Sequence, residues 1–271
     1  MSVMELSEQD AARALLRWYA DMGVDEATGA APTDYYAWAT RKPAAAPTPR
    51  ETARKKNVFR PDPAAAAPSA DEAISAAECA ARACDSFEAL SKAVAEFEGC
   101  PLKAGATNTV FTDGVPGADL LVIGEAPGRD EDRIGKPFVG RAGQLLDRML
   151  AAIDRSRDTN VLISNVIYWR PPGNRTPSPM ETAICRPFVD RLIELTQPKA
   201  VMLAGGAPLQ AMLGVTGIMR ARGRWRDIET ASGARFAALP MFHPAFLLRQ
   251  PANKRLAWAD LQALAARLRE G

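Results

Sequence analysis

The chain has 271 residues, 47% of them hydrophobic, with 34 basic and 32 acidic side chains and a formal net charge of +2. That is enough apolar content for a sizeable core in one large domain or two modest ones. Four scattered cysteines exclude a secreted disulfide scaffold, the acidic N-terminus "MSVMELSEQDAARALL" is not a signal peptide, and no apolar run approaches the ~20 residues needed to span a bilayer. A soluble, cytoplasmic protein is expected.

The charge is uneven. Residues 1–100 carry 11 Lys/Arg against 16 Asp/Glu, whereas residues 101–271 carry 23 against 16, a net +7. That excess suits a polyanionic partner, and suits an Arg-rich solvated surface equally well.

In chain order, Ser7 reads as the N-cap of a helix over residues 8–21, within an N-terminal helical segment spanning 1–40. Residues 41–70 hold six prolines, nine alanines and seven basic residues without a burial pattern, and read as an exposed linker. Helical patterning returns over 71–98. From about residue 118 short apolar runs take over: "ADLLVIGEAP", "NVLISNVIYW", "KAVMLAGG" and the interrupted "RFAALPMFHP". Between them lie amphipathic segments. "GQLLDRMLAAID" puts Leu145, Leu146, Met149, Leu150 and Ile153 on one face, and "SPMETAICRPFVDRLIEL" opens with Ser178 as N-cap, Pro179 at the first helical position and Glu181 closing a capping box. Apolar strands alternating with helices predict a parallel sheet covered on both faces, with ligands at the strands' carboxyl ends. Residues 71–271 are expected to form this α/β domain.

The predicted strand ends carry the polar and glycine-rich residues. "GEAPG", from Gly124 to Gly128, is a rigid turn with Glu125 projecting from it between Gly124 and Ala126-Pro127. "GKPFVGRAGQLLD" contains Phe138, either core or stacking platform, and a Gly140-Arg141-Ala142-Gly143 run whose amides suit an anion. In "SNVIYWRPPGNRTPSP", Asn165 is an amide in an apolar strand, satisfied by backbone or offering a donor and an acceptor to a heterocycle edge. Arg170, Asn174 and Arg175 follow on a rigid basic loop. His243 is the one histidine in the chain, and "FHPAFLLRQPANKR" after it sets Phe246, Leu247 and Leu248 beside Arg249, as apolar wedges ahead of phosphate contacts or as the packed start of the C-terminal helix.

In combination and in order, "GEAPGRDEDRIGKPFVGRAGQLLD", "NVIYWRPPGNRTPSPMETAICRPF" and "FHPAFLLR" resemble the uracil-DNA glycosylase superfamily, specifically its family 4 enzymes, over roughly residues 98–268. The resemblance implies a three-layer α/β/α sandwich around a four-stranded parallel sheet, with an N-terminal helical extension outside it. It also implies a bacterial DNA repair enzyme acting at the nucleoid, which flips uracil out of DNA and hydrolyses its N-glycosidic bond, leaving an abasic site. By motif position Phe138 stacks on the base, Asn165 reads N3–H and O4, His243 stabilises the anionic leaving group near O2, and Glu125 positions water and the sugar cation. Leu247 matches the family's inserted wedge, and the amides of Gly140–Gly143 and Gly205–Gly206 match phosphate contacts. The best-known uracil glycosylases carry an aspartate directly after the Glu125 position. Here, as in family 4, that residue is not an aspartate; it is Ala126.

Family 4 enzymes hold a [4Fe–4S] cluster on four cysteines. Cys100 and Cys185 match the second and fourth positions, but the first and third are Phe97 and Trp169, which cannot supply thiolates. Cys79 and Cys84 lie 21 and 16 residues before Cys100 on what reads as a separate helix. No metal or cofactor is expected, and the two aromatics are expected to fill the vacated volume. DNA is the expected partner, no membrane is involved, and nothing demands more than a monomer. Three alternatives differ in kind. A branch trapped covalently on DNA carries a histidine-bearing insertion that the run from Asn165 to Ser178 lacks; a non-catalytic DNA-binding module has no need of Glu125, Phe138, Asn165 and His243 together; and a nucleotide-phosphate enzyme is expected to show a Walker or dinucleotide motif, which is not found.

Overall fold

A computed structural model describes residues 69–269. The helical segment expected over 1–40 and residues 41–68 of the linker expected over 41–70 lie outside the described residues; Ser69 and Ala70, the end of that expected linker, instead begin a helix. Ser69 caps helix α1 (Ala70–Arg82) in a capping box with Glu72, and Ser86 caps α2 (Phe87–Glu96). The helical pattern over 71–98 is thus two helices, because the Ser86 side chain accepts from the Ala89 amide and starts a new one.

After strand β1 (Thr112–Gly114), the apolar pentapeptide LLVIG forms β2 (Leu120–Gly124), followed by α3 (Arg129–Ile134) and α4 (Arg141–Ala151). Strand β3 (Val161–Asn165), helix α5 (Pro179–Thr196), strand β4 (Ala200–Ala204) and helices α6 (Gly206–Leu213) and α7 (Ile218–Ala221) come next. Strands β5 (Arg226–Glu229) and β6 (Arg235–Met241) and helices α8 (Pro244–Arg249) and α9 (Lys254–Arg269) complete the described chain. Helix α5 starts as expected, with Ser178, Pro179 and Glu181 in their capping roles.

The sheet is mixed, with order β1-β3-β2-β4-β6-β5. The expectation of a four-stranded parallel sheet is corrected to six strands: β3, β2, β4 and β6 are parallel, and β1 and β5 add antiparallel edges. The edges escape a hydrophobicity reading because they are short and polar, Thr-Asp-Gly and Arg-Asp-Ile-Glu, with Ile228 alone fully buried.

All fifteen residues of β2, β3 and β4 are buried, and their alternation divides the core between two faces. Leu121, Ile123, Leu162, Val201 and Leu203 pack with α1, α2 and α5; Leu120, Val122, Val161, Ile163 and Met202 pack with α4 and α9. Each such side chain contributes about 1.5–3 kcal/mol on burial. Helices therefore cover both faces of the sheet. The chain leaves β2 for β3 on one side, then crosses back past β2 to β4, so the crevice of the sheet falls at the carboxyl ends of β2 and β4. Among the described residues no helix is long and apolar enough to cross a membrane.

Candidate active site

At that crevice lies a cavity of about 410 Å³. It is lined by Glu125, Phe138, Asn165 and His243, which come from four separate stretches of chain, and by Ala126, Pro127 and Gly128 of the turn after β2. Asn165 ends β3 directly opposite Gly124 in the parallel register. Its side chain is buried and its Nδ2 has no hydrogen-bond partner. A buried, unsatisfied donor costs about 1–3 kcal/mol, so a group aimed into a cavity in this state is poised for a ligand acceptor. Gly124 makes the arrangement possible: a Cβ there would fall 2.5 Å from the Phe138 ring and closer still to Asn165 Oδ1.

Phe138 stands with φ at 54°, in the left-handed region that costs a non-glycine residue roughly 1–2 kcal/mol. Contacts on both sides hold it there. Arg157 donates to the carbonyls of Pro137 (3.1 Å) and Phe138 (2.9 Å), and the Glu131 carboxylate accepts from the amides of Val139 (3.0 Å), Gly140 (2.9 Å) and Gly128 (3.1 Å). Gly143 at the start of α4 lies under the Phe138 carbonyl, where a Cβ would collide with that oxygen. The Phe138 ring stacks against His243, with centroids 5.5 Å apart and planes 27° from parallel.

His243 is the N-cap of α8, and its Nδ1 accepts the Ala245 amide at 3.1 Å. With Nδ1 an acceptor, the neutral ring carries its proton on Nε2. Burial, and then the nearby Arg249, bring its pKa down to about 4, so the imidazole is neutral at pH 7. Behind it Gly205 has φ at 109°, a conformation that favours glycine, and a Cβ there would lie a tight 3.1 Å from that of His243. The Glu125 carboxyl is pushed above its ordinary range by burial, with a Thr176 hydroxyl pulling the other way. The turn that presents it is pinned to the chain after β3 by the Val166 and Ile167 amides, which donate to the carbonyls of Gly124 (2.9 Å) and Glu125 (3.2 Å).

The rim residues sort differently from the sequence expectation. Arg141, Gly206 and Arg249 are exposed. Arg170 donates to Asn174 at 2.7 Å, and Arg175 forms a bidentate pair with Glu181 at 2.9 and 2.6 Å. The Gly140 amide is already engaged by Glu131, and Gly143 is buried against Phe138, so both glycines serve the packing of the 137–140 segment. Leu247, expected as an exposed wedge, is 1% exposed and packs in the core beside α9; the exposed apolar side chain of α8 is Leu248, at 37%. Helical spacing accounts for this: Pro244 and Leu247, three residues apart, share the buried face of α8, and Leu248 lies the next step of about 100° round, toward solvent.

Sequence reasoning missed Glu131 and Arg157. Glu131 sits three residues after Gly128, the spacing of a capping box, and was legible in principle. Arg157 carries no local signal, since it reaches Phe138 across the whole of α4.

The position of the family's iron–sulfur cluster does not fit such a group. Phe97 and Trp169 are buried and stacked, with centroids 6.5 Å apart, and Phe97 meets Phe188 edge-on at 5.0 Å. Cys100 and Cys185 are buried free thiols. The neighbouring Cys100 thiol, and then burial, hold Cys185 well above the ordinary thiol range. Cys79 is exposed on α1, Cys84 donates to the Ala80 carbonyl at 3.1 Å, and among the described residues no group of three or more His, Cys, Asp or Glu is placed to hold a metal ion.

A doubly covered α/β sheet thus gathers an unsatisfied amide, an aromatic plate and a neutral histidine at its crevice. The sequence pattern of the uracil DNA glycosylase superfamily matches residues 111–262, and the chain belongs to that superfamily. Within it the chain is similar to the type-4 uracil-DNA glycosylase of Thermotoga maritima, 35% identical over 178 residues, which is 65% of this chain and 91% of that one. It is also similar to the type-4 enzymes of Sulfurisphaera tokodaii (33% over 188 residues, 66% and 84%) and Archaeoglobus fulgidus (35% over 172 residues, 62% and 85%). The family assignment supports a glycosylase activity of the type-4 kind.

Proposed function

We propose that the chain hydrolyses the N-glycosidic bond of deoxyuridine in DNA and acts on a base flipped out of the stack. The observation that carries this reading is the unpartnered, buried Asn165 Nδ2 in a cavity between Phe138 and His243. Uracil offers O4 to that donor and N3–H to Oδ1. Cytosine presents the opposite pattern, a donor at C4 and an acceptor at N3, so it leaves the amide facing like against like. Phe138 gives the base a flat apolar face to lie against in place of the stack it left.

As the bond between C1′ and N1 breaks, negative charge moves onto the base and the sugar becomes cationic. His243, neutral with its proton on Nε2, donates a hydrogen bond to O2 and stabilises the departing anion without having to lose a proton first. Glu125, which lines the same cavity and has its carboxyl pushed up by burial, is assigned the sugar cation and takes a proton from the attacking water. Water supplies hydroxyl to C1′, and its proton balances the released base. The products are free uracil and an abasic site. Exposed Arg141 and Arg249 and the open amide end at Gly206 serve phosphates along the rim, and Leu248 is the side chain of α8 free to enter the space the base vacates.

The test is single-turnover cleavage of an end-labelled oligonucleotide with one uracil, followed by alkali. The native protein is expected to give an alkali-dependent break at the uracil. Asn165→Ala is expected to slow it by about 10²–10³-fold, as for loss of one preorganised donor to the developing charge. Because the mutation removes an unsatisfied donor, its melting temperature should not fall. A native protein that shifts DNA in a gel and cuts none would overturn the reading.

A further inference from the structure

Arg157 lies outside the cavity, on the far side of the Phe138 segment, and takes no part in the proposed chemistry. Its side chain is 14% exposed and its five N–H donors are all used. Nε and Nη2 reach Asp147 at 2.9 and 2.7 Å, Nη1 reaches Asp113 at 2.9 Å and the Pro137 carbonyl at 3.1 Å, and Nη2 reaches the Phe138 carbonyl at 2.9 Å. Asp113 belongs to edge strand β1 and is also held by Lys136 at 2.9 Å; Asp147 belongs to α4. The guanidinium is thus aimed by two carboxylates on separate elements, and its remaining donors end on two successive carbonyls. One of those carbonyls belongs to the residue with φ at 54°.

From this geometry we infer that Arg157 is a positioning residue for Phe138, fixing its backbone in the left-handed conformation that lays the ring over the base cavity. The inference rests on the glycosylase reading above. It explains why a residue 19 positions along the chain has its donors on the Pro137 and Phe138 carbonyls: a phenylalanine in this conformation relaxes toward ordinary backbone unless its carbonyl is held. The Gly143 contact stops that carbonyl from moving inward, and Arg157 stops it from turning away. Lysine cannot substitute, because one ammonium has three donors and no planar fork to span two carbonyls and two carboxylates.

The test is a double-mutant cycle on the same uracil oligonucleotide, using Arg157→Lys and Arg157→Gln, each with and without Phe138→Ala. Single-turnover rate and half-saturating protein concentration are measured separately. Arg157→Lys in the native background is expected to slow the chemical step by at least about tenfold, since misplacement by about 1 Å of a group that orients the substrate costs up to 10²-fold. DNA affinity should change by less than about twofold, because the rim is untouched. With Phe138 already alanine, the same substitution should cost less than about twofold, because neighbours acting through one another are non-additive. Equal losses in both backgrounds would overturn the inference and leave Arg157 as general scaffold. So would an affinity loss without a rate loss. If Arg157→Gln fails to melt cooperatively, Arg157→Lys, which keeps the charge beside Asp113 and Asp147, decides alone. A native protein inactive on uracil overturns the glycosylase reading itself, and the inference falls with it; an active native protein with additive losses sinks the inference only.

Discussion

With one histidine in the chain, a titration of imidazole reports His243 and nothing else. In the folded protein burial is the largest cause holding its pKa near 4, against 6.5 for the free side chain, a difference of about 3 kcal/mol between the two protonation states. The sign follows from linkage. Between about pH 6.5 and 4 the unfolded chain binds a proton that the folded chain refuses, so this group makes the fold less stable as pH falls through that window. Phe138→Ala is the informative perturbation, because the ring stacked on His243 supplies part of the burial. Removing it should move the midpoint upward toward 6.5. Long-range ¹H–¹⁵N correlation spectra against pH would measure both proteins. The native spectrum at pH 7 should show a neutral ring protonated at Nε2, since Nδ1 accepts the Ala245 amide. Uracil excision should correspondingly lack an acid limb near pH 6.5 from this residue. A native midpoint at 6.5 would refute the burial argument, and a ring protonated at Nδ1 would remove Nε2–H as the donor to O2.

Other expectations are sharper for being paired. Leu247→Ala should destabilise the fold by about 2–5 kcal/mol, whereas Leu248→Ala should leave thermal melting unchanged and slow excision from duplex more than from single-stranded DNA. Gly124→Ala should abolish measurable excision while the chain still melts cooperatively, because its Cβ enters the space shared by Phe138 and Asn165; full activity would show that the cavity is not the base site. Trp169→Ala should cost about 3–5 kcal/mol in denaturant unfolding, as for a buried aromatic in a packed core. The purified protein should lack both stoichiometric iron and the visible absorbance of an iron–sulfur cluster; four irons per chain would contradict the packing of Phe97 against Trp169.

The amino-acid pattern by itself pointed to the four parallel strands, since short apolar runs such as LLVIG and AVMLA, bounded by turn residues and alternating with amphipathic segments, fit strands buried on both faces, and it placed Glu125, Asn165, Gly205 and His243 at or just beyond their ends. Set beside the family it resembles, the sequence also showed aromatics at two of the four cluster positions, because side-chain identity is written directly in it. Local helix signals were equally legible where the capping residues are side chains, as at Ser178 and Glu181. The edge strands were not, because three or four polar residues become a strand only when a neighbour offers them a ladder. Nor was the inward turn of Leu247: a run of apolar residues has no face until a helix is laid on a core. The support of Phe138 was decided entirely in three dimensions. Arg157 finds its carbonyls 19 and 20 residues away, Asp113 lies 44 residues away, and Gly143 matters only because the Phe138 backbone comes to rest on it. Contacts of that kind join residues that no periodicity relates, so only the folded chain brings them together.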